Sequence, residues 1–196
     1  DGASDLHVPL PAHDAPRLAV EVWKDRVDAA LAGDAADAWL SARLGRPVRL
    51  VHMDAAATRA IDAAYAAPGE TTSFGDGFPY LLLTASAMDA LNARLPRPLP
   101  ITRFRPNLVI GGAPPHAEDQ WRRVRIGGVE FVLPKPCTRC VFPTSDPASG
   151  ERDPDGQPLE ALKAYRRTDA GITFGMNAIA RGIGALRVGD AVEVLE

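Results

Sequence analysis

Proline and glycine punctuate this chain from end to end, and that spacing excludes most architectures. The 196 residues include 18 prolines and 17 glycines, dispersed rather than gathered into a low-complexity tract. Each proline removes a backbone donor and fixes φ, and each glycine weakens a helix or strand interior. What survives between them is many short strands, a few short helices and many turns. An α+β fold around a β-barrel follows, with short peripheral helices. Long helices do not alternate regularly with strands, so a doubly wound parallel sheet is not expected.

The elements read as follows. Leu6–Leu10 is strand-like, Arg17–Trp23 alternates in part as a strand, and Arg26–Leu31 follows as a second. Asp34 is expected to cap a helix with Ala36, Leu40 and Leu44 at helical spacing, stopped by Gly45 and Pro47. Val48–His52 is strand-like and Ala63–Gly77 loop-like. Phe78–Leu83 is a compact apolar run, a buried strand. Ser86 is expected to cap Ala87–Leu95, with Asp89 at the capping-box position, before Pro96, Pro98 and Pro100 end it. Asn107–Ile110 is a short strand. Trp121–Ile126 and Val129–Leu133 flank Gly127-Gly128, a hairpin signature. Thr144–Pro158 is a long polar loop, and Pro158 suits the first turn of a helix whose Leu159, Leu162 and Tyr165 share a face. Ala191–Leu195 alternates at the end.

Length and composition set the class. A chain of 196 residues can bury a core without staples. The formal net charge of −3 carries no polyanion-binding signal, so nucleic acid is not the expected partner. No apolar run approaches the ~20 residues of a membrane span. Two cysteines are too few for a secreted disulfide scaffold, and the expected setting is reduced and cytoplasmic.

Both cysteines fall in Lys135-Pro136-Cys137-Thr138-Arg139-Cys140. Cys137, after two prolines at a strand end, reads as a small buried hydrophobe. Cys140 has Arg139 before it and Lys135 nearby, and nearby cations favour a thiolate. Two readings stay open for it, structural and functional. A structural zinc site needs four ligands, and His7, His13, His52 and His116 show no paired spacing. A thioredoxin-type pair opens a helix, whereas Val141-Phe142-Pro143 reads as strand and turn. No Gly-x-Ser-x-Gly or Walker loop is present. Asp153-Pro154-Asp155-Gly156 lacks the terminal Glu of an EF-hand loop and reads as a turn.

Six short motifs occur in order. They are Phe104-Arg105-Pro106-Asn107, Ala117-Glu118-Asp119-x-Trp121, Pro136-Cys137-Thr138-Arg139-Cys140, Asp146-Pro147-x-x-Gly150, Pro158-Leu159-x-x-Leu162-Lys163-x-Tyr165-Arg166 and Val188-Gly189-Asp190. Together they resemble the MOSC domain, the C-terminal domain of molybdenum cofactor sulfurases. The likeness is to the branch of the mitochondrial amidoxime-reducing component and its bacterial relatives. It implies a β-barrel MOSC domain over residues 18–196. Residues 1–17 would be a linker or remnant of an N-terminal β-barrel domain that supplies further cationic contacts in the relatives.

The resemblance implies a molybdenum–molybdopterin cofactor, with Cys140 as metal ligand and catalytic centre. Arg105, Thr138 and Arg139 match cofactor-contacting positions, and Asp76, Gly77 and Phe78 lie in a loop that lines the cofactor. The relatives often carry a small hydroxyl residue where this chain has Phe78, which leaves a backbone contact there. Pyridoxal phosphate is not expected. The implied activity is reduction of N-hydroxylated or N-oxygenated small molecules, with electrons from a separate electron-transfer protein. The alternatives are a sulfur-transfer module bearing a Cys140 persulfide, and a cofactor-binding module without turnover.

Overall fold

The computed structural model describes residues 5–196, so the start of the expected 1–17 linker lies outside the described residues. The chain divides into two compact units, one ending at Gly77 and one running Phe78–Glu196.

In the first unit β1 (Arg17–Val22), β2 (Asp25–Leu31) and β3 (Val51–His52) form an antiparallel sheet in that order. The expected Val48–His52 strand is thus confined to its last two residues, and Leu6–Leu10 has no strand partner and is irregular. Helix α1 (Asp34–Leu44) joins β2 to β3. Its cap is Gly33, not Asp34: Gly33 sits at φ 103°, and its carbonyl accepts from the amides of Ala36 and Asp37. A side chain at that φ is strained, so glycine takes the cap and Asp34 becomes the first helical residue, favoured there by the helix dipole. Arg59 is buried, and its Nε donates to Asp25 at 2.8 Å. Its Nη1 donates to the carbonyls of Ser73 at 3.0 Å and Gly75 at 2.7 Å, which pins the loop that ends in Asp76 and Gly77.

The second unit is a nearly closed mixed β-barrel. Its strands are β4 (Tyr80–Thr84), β5 (Leu108–Ile110), β6 (Arg123–Ile126), β7 (Val129–Thr138), β8 (Arg167–Thr168), β9 (Gly171–Arg181) and β10 (Val192–Val194). They run in the order β10-β6-β7-β9-β4-β5, with β8 paired to β9. β4 and β5 are parallel and joined through helix α2 (Ala85–Asn92); the other pairs are antiparallel. Ile110 of β5 and Val124 and Ile126 of β6 share one buried cluster with Phe131, Leu133 and Met176, and Val192 of the far edge packs on it. Strands from both ends of the path therefore fill one interior, as a sheet curling on itself requires. A second cluster lies under α2 and α3 (Leu159–Tyr165), built on Leu83, Phe104, Leu162 and Phe174.

The hairpin is where Gly127-Gly128 put it, with Ile126 facing Val129. The cap of α2 is not. Thr84 caps it, its Oγ1 accepting from Ala87 N at 3.3 Å, while Ser86 donates instead to the Ala113 carbonyl at 2.6 Å. Glu118 explains the choice. It is fully buried, and its carboxyl accepts from Thr84 N at 3.2 Å and Thr84 Oγ1 at 2.7 Å. The helix start and the buried Glu118 satisfy each other, which a local cap rule does not see.

β7 continues past Leu133 through two prolines. Neither Pro134 nor Pro136 has an amide to give, and the β7–β9 ladder shifts register between Val132 and Lys135 and again between Pro136 and Thr138. Prolines at bulges are tolerated where they would break a regular strand. The result is a strand end that leaves the regular pleat just before Cys140.

His116 lies against Tyr165 and Phe174, with ring centroids 5.7 and 5.9 Å away. Both its ring nitrogens and Tyr165 Oη are buried without a hydrogen-bond partner among the described residues. Burial holds its pKa below the ordinary 6.5; Arg166 and Arg94 push the same way, and Asp119 opposes them. The unfolded chain then takes up a proton before the folded one does. This contribution to stability is complete above about pH 6.5 and is lost as pH falls from there through the folded value. Tm is expected to fall between pH 7 and 5, and His116→Phe to flatten that part of the profile in a pH series of thermal melts.

No helix among the described residues is long and apolar enough to cross a membrane.

Candidate functional site

The end of β7 holds Cys137 and leads on to Cys140. Thr138, the last strand residue, is exposed and pairs with Thr173 of β9. Arg139 follows, and its backbone amide donates to the Ile172 carbonyl at 2.7 Å. Its Nε and Nη2 both donate to the Phe174 carbonyl, at 2.9 and 2.6 Å. The guanidinium lies 5.3 Å over the Phe104 ring. Cys140 is exposed, and the Phe142 amide donates to its Sγ at 3.5 Å. An N–H aimed at sulfur stabilises negative charge there. Cys137 is half-buried against the cluster under α2 and α3, so the two cysteines occupy different settings, one packed and one presented to solvent. The segment expected as strand and turn after Cys140 is instead a 3₁₀ turn over Phe142–Thr144, with Pro143 in its first turn fixing the tight φ.

A second 3₁₀ turn, Ile101–Phe104, delivers Arg105. Arg105 sits at φ 53°, uncommon for a residue with a Cβ. Its guanidinium lies 5.7 Å from the exposed Phe142 ring and makes no hydrogen bond or ion pair among the described residues. Arg103, two residues earlier, is buried and committed. Its Nη1 donates to the Thr144 carbonyl at 2.9 Å and its Nη2 to Asp146 at 3.1 Å. The other Asp146 oxygen accepts from the Ala148 and Ser149 amides, and these amides, then Arg103, hold its pKa below the usual carboxylate value. The Asp146 charge is therefore engaged, and Arg105 is left as the uncompensated cation. Between them opens a cavity of about 430 Å³, lined by Thr102, Arg103, Arg105, Phe142, Ser145 and Asp146 among others.

Among the expected site residues, the geometry links Cys140 to Arg105 through Phe142. Thr138, the last residue of β7, and Arg139 directly precede Cys140 in the chain. Phe78 opens the second unit, half-buried, with the Lys135 ammonium 5.9 Å from its ring. Asp76 and Gly77 are exposed residues at the end of the first unit. Sequence reasoning missed Arg103, and it gave Phe142 no part in the site. For Phe142 the available signal was a large aromatic two residues after the cysteine, in a segment leading into a polar loop. For Arg103 there was none, because an arginine that braces a loop and one that binds a ligand look alike in sequence.

The described residues contain no group of three or more His, Cys, Asp or Glu arranged to hold a metal ion. A metal at Cys140 would have to bring its other ligands with it. The MOSC domain family model matches residues 69–193, well over half of the chain. The chain is 35% identical to mitochondrial amidoxime-reducing component 1 of Mus musculus across 97% of its own length and 60% of that protein. It is 33% identical to the Homo sapiens component 1 across 83% of its length and 52% of that protein. To mitochondrial amidoxime reducing component 2 of Rattus norvegicus it is 38% identical across 61% of its length and 38% of that protein. The chain spans at most 60% of the length of these relatives. Motif order, barrel topology and family match converge, and the chain belongs to the MOSC domain family.

Proposed function

We propose that the protein binds a molybdenum–pterin cofactor through Cys140 and reduces N-hydroxylated compounds. The observation that carries this reading is an exposed thiol receiving the Phe142 amide, with the ring of the same Phe142 facing Arg105, which has no ion-pair partner among the described residues and lines a cavity there. The donor set fits the group. One soft thiolate suits a metal that arrives with its own sulfur and oxygen ligands. A free guanidinium suits a phosphate, because its fork makes two parallel charge-assisted bonds. The names of the relatives, amidoxime-reducing components, support the substrate class.

When bound, the cofactor supplies the two-electron chemistry that removes oxygen from nitrogen; the chain's residues bind and orient. Cys140 presents its sulfur at a fixed place on the strand end. The Phe142 amide donates to that sulfur and helps to fix its direction. Arg105 holds the phosphate, its aliphatic stem and the Phe142 ring shielding one side. The Thr138 hydroxyl would offer a donor and an acceptor to the pterin. Electrons are proposed to come from a separate electron-transfer protein.

The test is expression in a host that makes the cofactor, then molybdenum per chain and reduction of an N-hydroxylated amidine with a viologen donor. Stoichiometric metal with turnover supports the reading. Metal without turnover reduces the protein to a binding module, and no metal with sulfane sulfur on Cys140 replaces the reading with sulfur transfer. Arg105→Gly sharpens the test. It relieves the positive φ and removes a side chain that makes no hydrogen bond or ion pair among the described residues, so Tm should hold or rise by a few degrees while molybdenum retention falls about tenfold or more.

A further inference from the structure

Resting on the cofactor-binding reading above, we infer that Arg139 is a positioning residue. It locks the end of β7 to β9 through the Phe174 carbonyl and thereby holds Cys140 in place, rather than gripping the cofactor phosphate.

The need for such a lock arises in β7 itself. Its ladder to β9 is broken twice by the register shifts around Pro134 and Pro136, and its last paired residue is Thr138. Beyond that point a chain carrying a metal ligand would fray. Arg139 supplies what the ladder lacks. Its backbone amide reaches the Ile172 carbonyl at 2.7 Å, and two side-chain donors converge on the next carbonyl but one, that of Phe174. Both lone pairs of that oxygen are taken up by one rigid planar group, which fixes direction as well as distance. The guanidinium face lies over Phe104, and the Phe104 ring packs against Phe174 with centroids 4.4 Å apart. Arg139 is thus half-buried in a sandwich of the second core cluster, directed at backbone. Arg105 has the opposite character: exposed, with no side-chain acceptor among the described residues, and lining the cavity. The two arginines divide the work, Arg105 toward the ligand and Arg139 toward the scaffold.

Chain length provides a discriminating pair of variants. The Nε2 of glutamine stands as many bonds from Cα as the Nε of arginine, so Arg139→Gln can keep one bond to the Phe174 carbonyl while losing the charge. Arg139→Met matches the glutamine in length and loses every side-chain donor. Both are placed in a Cys137→Ala background, so that Cys140 alone reports thiol reactivity. Three quantities are measured: hydrogen exchange at the Arg139 amide, the alkylation rate of Cys140, and molybdenum per chain after expression with cofactor. Amides of the β6–β7 ladder serve as the control for global opening.

Positioning predicts that Met speeds exchange at the Arg139 amide about tenfold and changes the alkylation rate several-fold, while Gln stays within about threefold of the parent. Molybdenum should follow the same order, kept in Gln and lost in Met. Equal loss of molybdenum in Gln and Met, with exchange and alkylation unchanged in both, would make the charge the active feature and overturn the inference. So would agreement of the parent and both variants in every readout. If the parent itself holds no molybdenum while exchange and alkylation still separate Met from Gln, the positioning role stands and the cofactor reading falls.

Discussion

Cys140→Ala is expected to leave the protein with less than about a tenth of the parent's molybdenum, and Cys137→Ala to leave it near the parent level. The asymmetry follows from where the two sulfurs sit. Cys140 is exposed beyond the last ladder pair and receives the Phe142 amide. Cys137 packs on the second core cluster, its Sγ 3.8 Å from the Thr138 carbonyl. Removing the Cys137 sulfur costs a small void, about 1 kcal/mol or less, which the fold should absorb. Removing the Cys140 sulfur costs the fold almost nothing, because little packs on it, so Tm should not move while the metal disappears. That separation of stability from metal content is the diagnostic. Equal loss in both variants would mean that the strand end as a whole, and not one thiolate, retains the cofactor. Retention in Cys140→Ala would remove the ligand assignment altogether.

The barrel class and the family were legible in the sequence, and the residues proposed for the site could be named from it. Cys140 and Arg105 stand in short motifs whose chemistry is intrinsic to the residue types, and the Gly127-Gly128 hairpin is read from local turn rules. Expectations failed where a residue's role is set from outside its own segment. Ser86 looks like a better cap than Thr84 until the buried Glu118 claims Thr84, 34 residues away in sequence. Leu6–Leu10 has strand composition but no neighbouring strand to pair with. Arg139, expected at the cofactor, keeps its place beside Cys140, and what its own segment does not announce is the Phe174 carbonyl that its side chain reaches. The largest omission was β9, the strand between β7 and β4 in the barrel, which had no counterpart among the expected elements. Its sequence explains why. Thr173, Phe174, Gly175 and Met176 are all buried in succession, so no period of two exists there, and the glycines at 171 and 175 read as breaks.

Gly175→Ala is expected to be the most damaging single-methyl addition in the second unit. Gly175 sits at φ 75°, where only glycine is relaxed, and it does so inside a strand. A Cβ there would stand 2.8 Å from the Leu82 carbonyl oxygen and 3.2 Å from Leu83 Cδ1. The nearer neighbour is backbone of β4, held in register through Leu82 opposite Met176, so it cannot swing aside as a side-chain end would. Strain and clash together should cost about 2–4 kcal/mol. For a chain of this size that lowers Tm by roughly 5–15 °C. Gly128→Ala is the control: it has no positive φ and open space around its Cβ, and should lie within about 0.5 kcal/mol of the parent. A Gly175→Ala protein that melts with the parent would show that β4 and β9 can separate at that point without loss. The damage should also reach the site. Phe174, whose carbonyl anchors Arg139, is the residue before Gly175, so a displaced β9 loosens the strand end that carries Cys140. Molybdenum retention in Gly175→Ala should therefore fall well below the melting temperature, before the barrel itself unfolds.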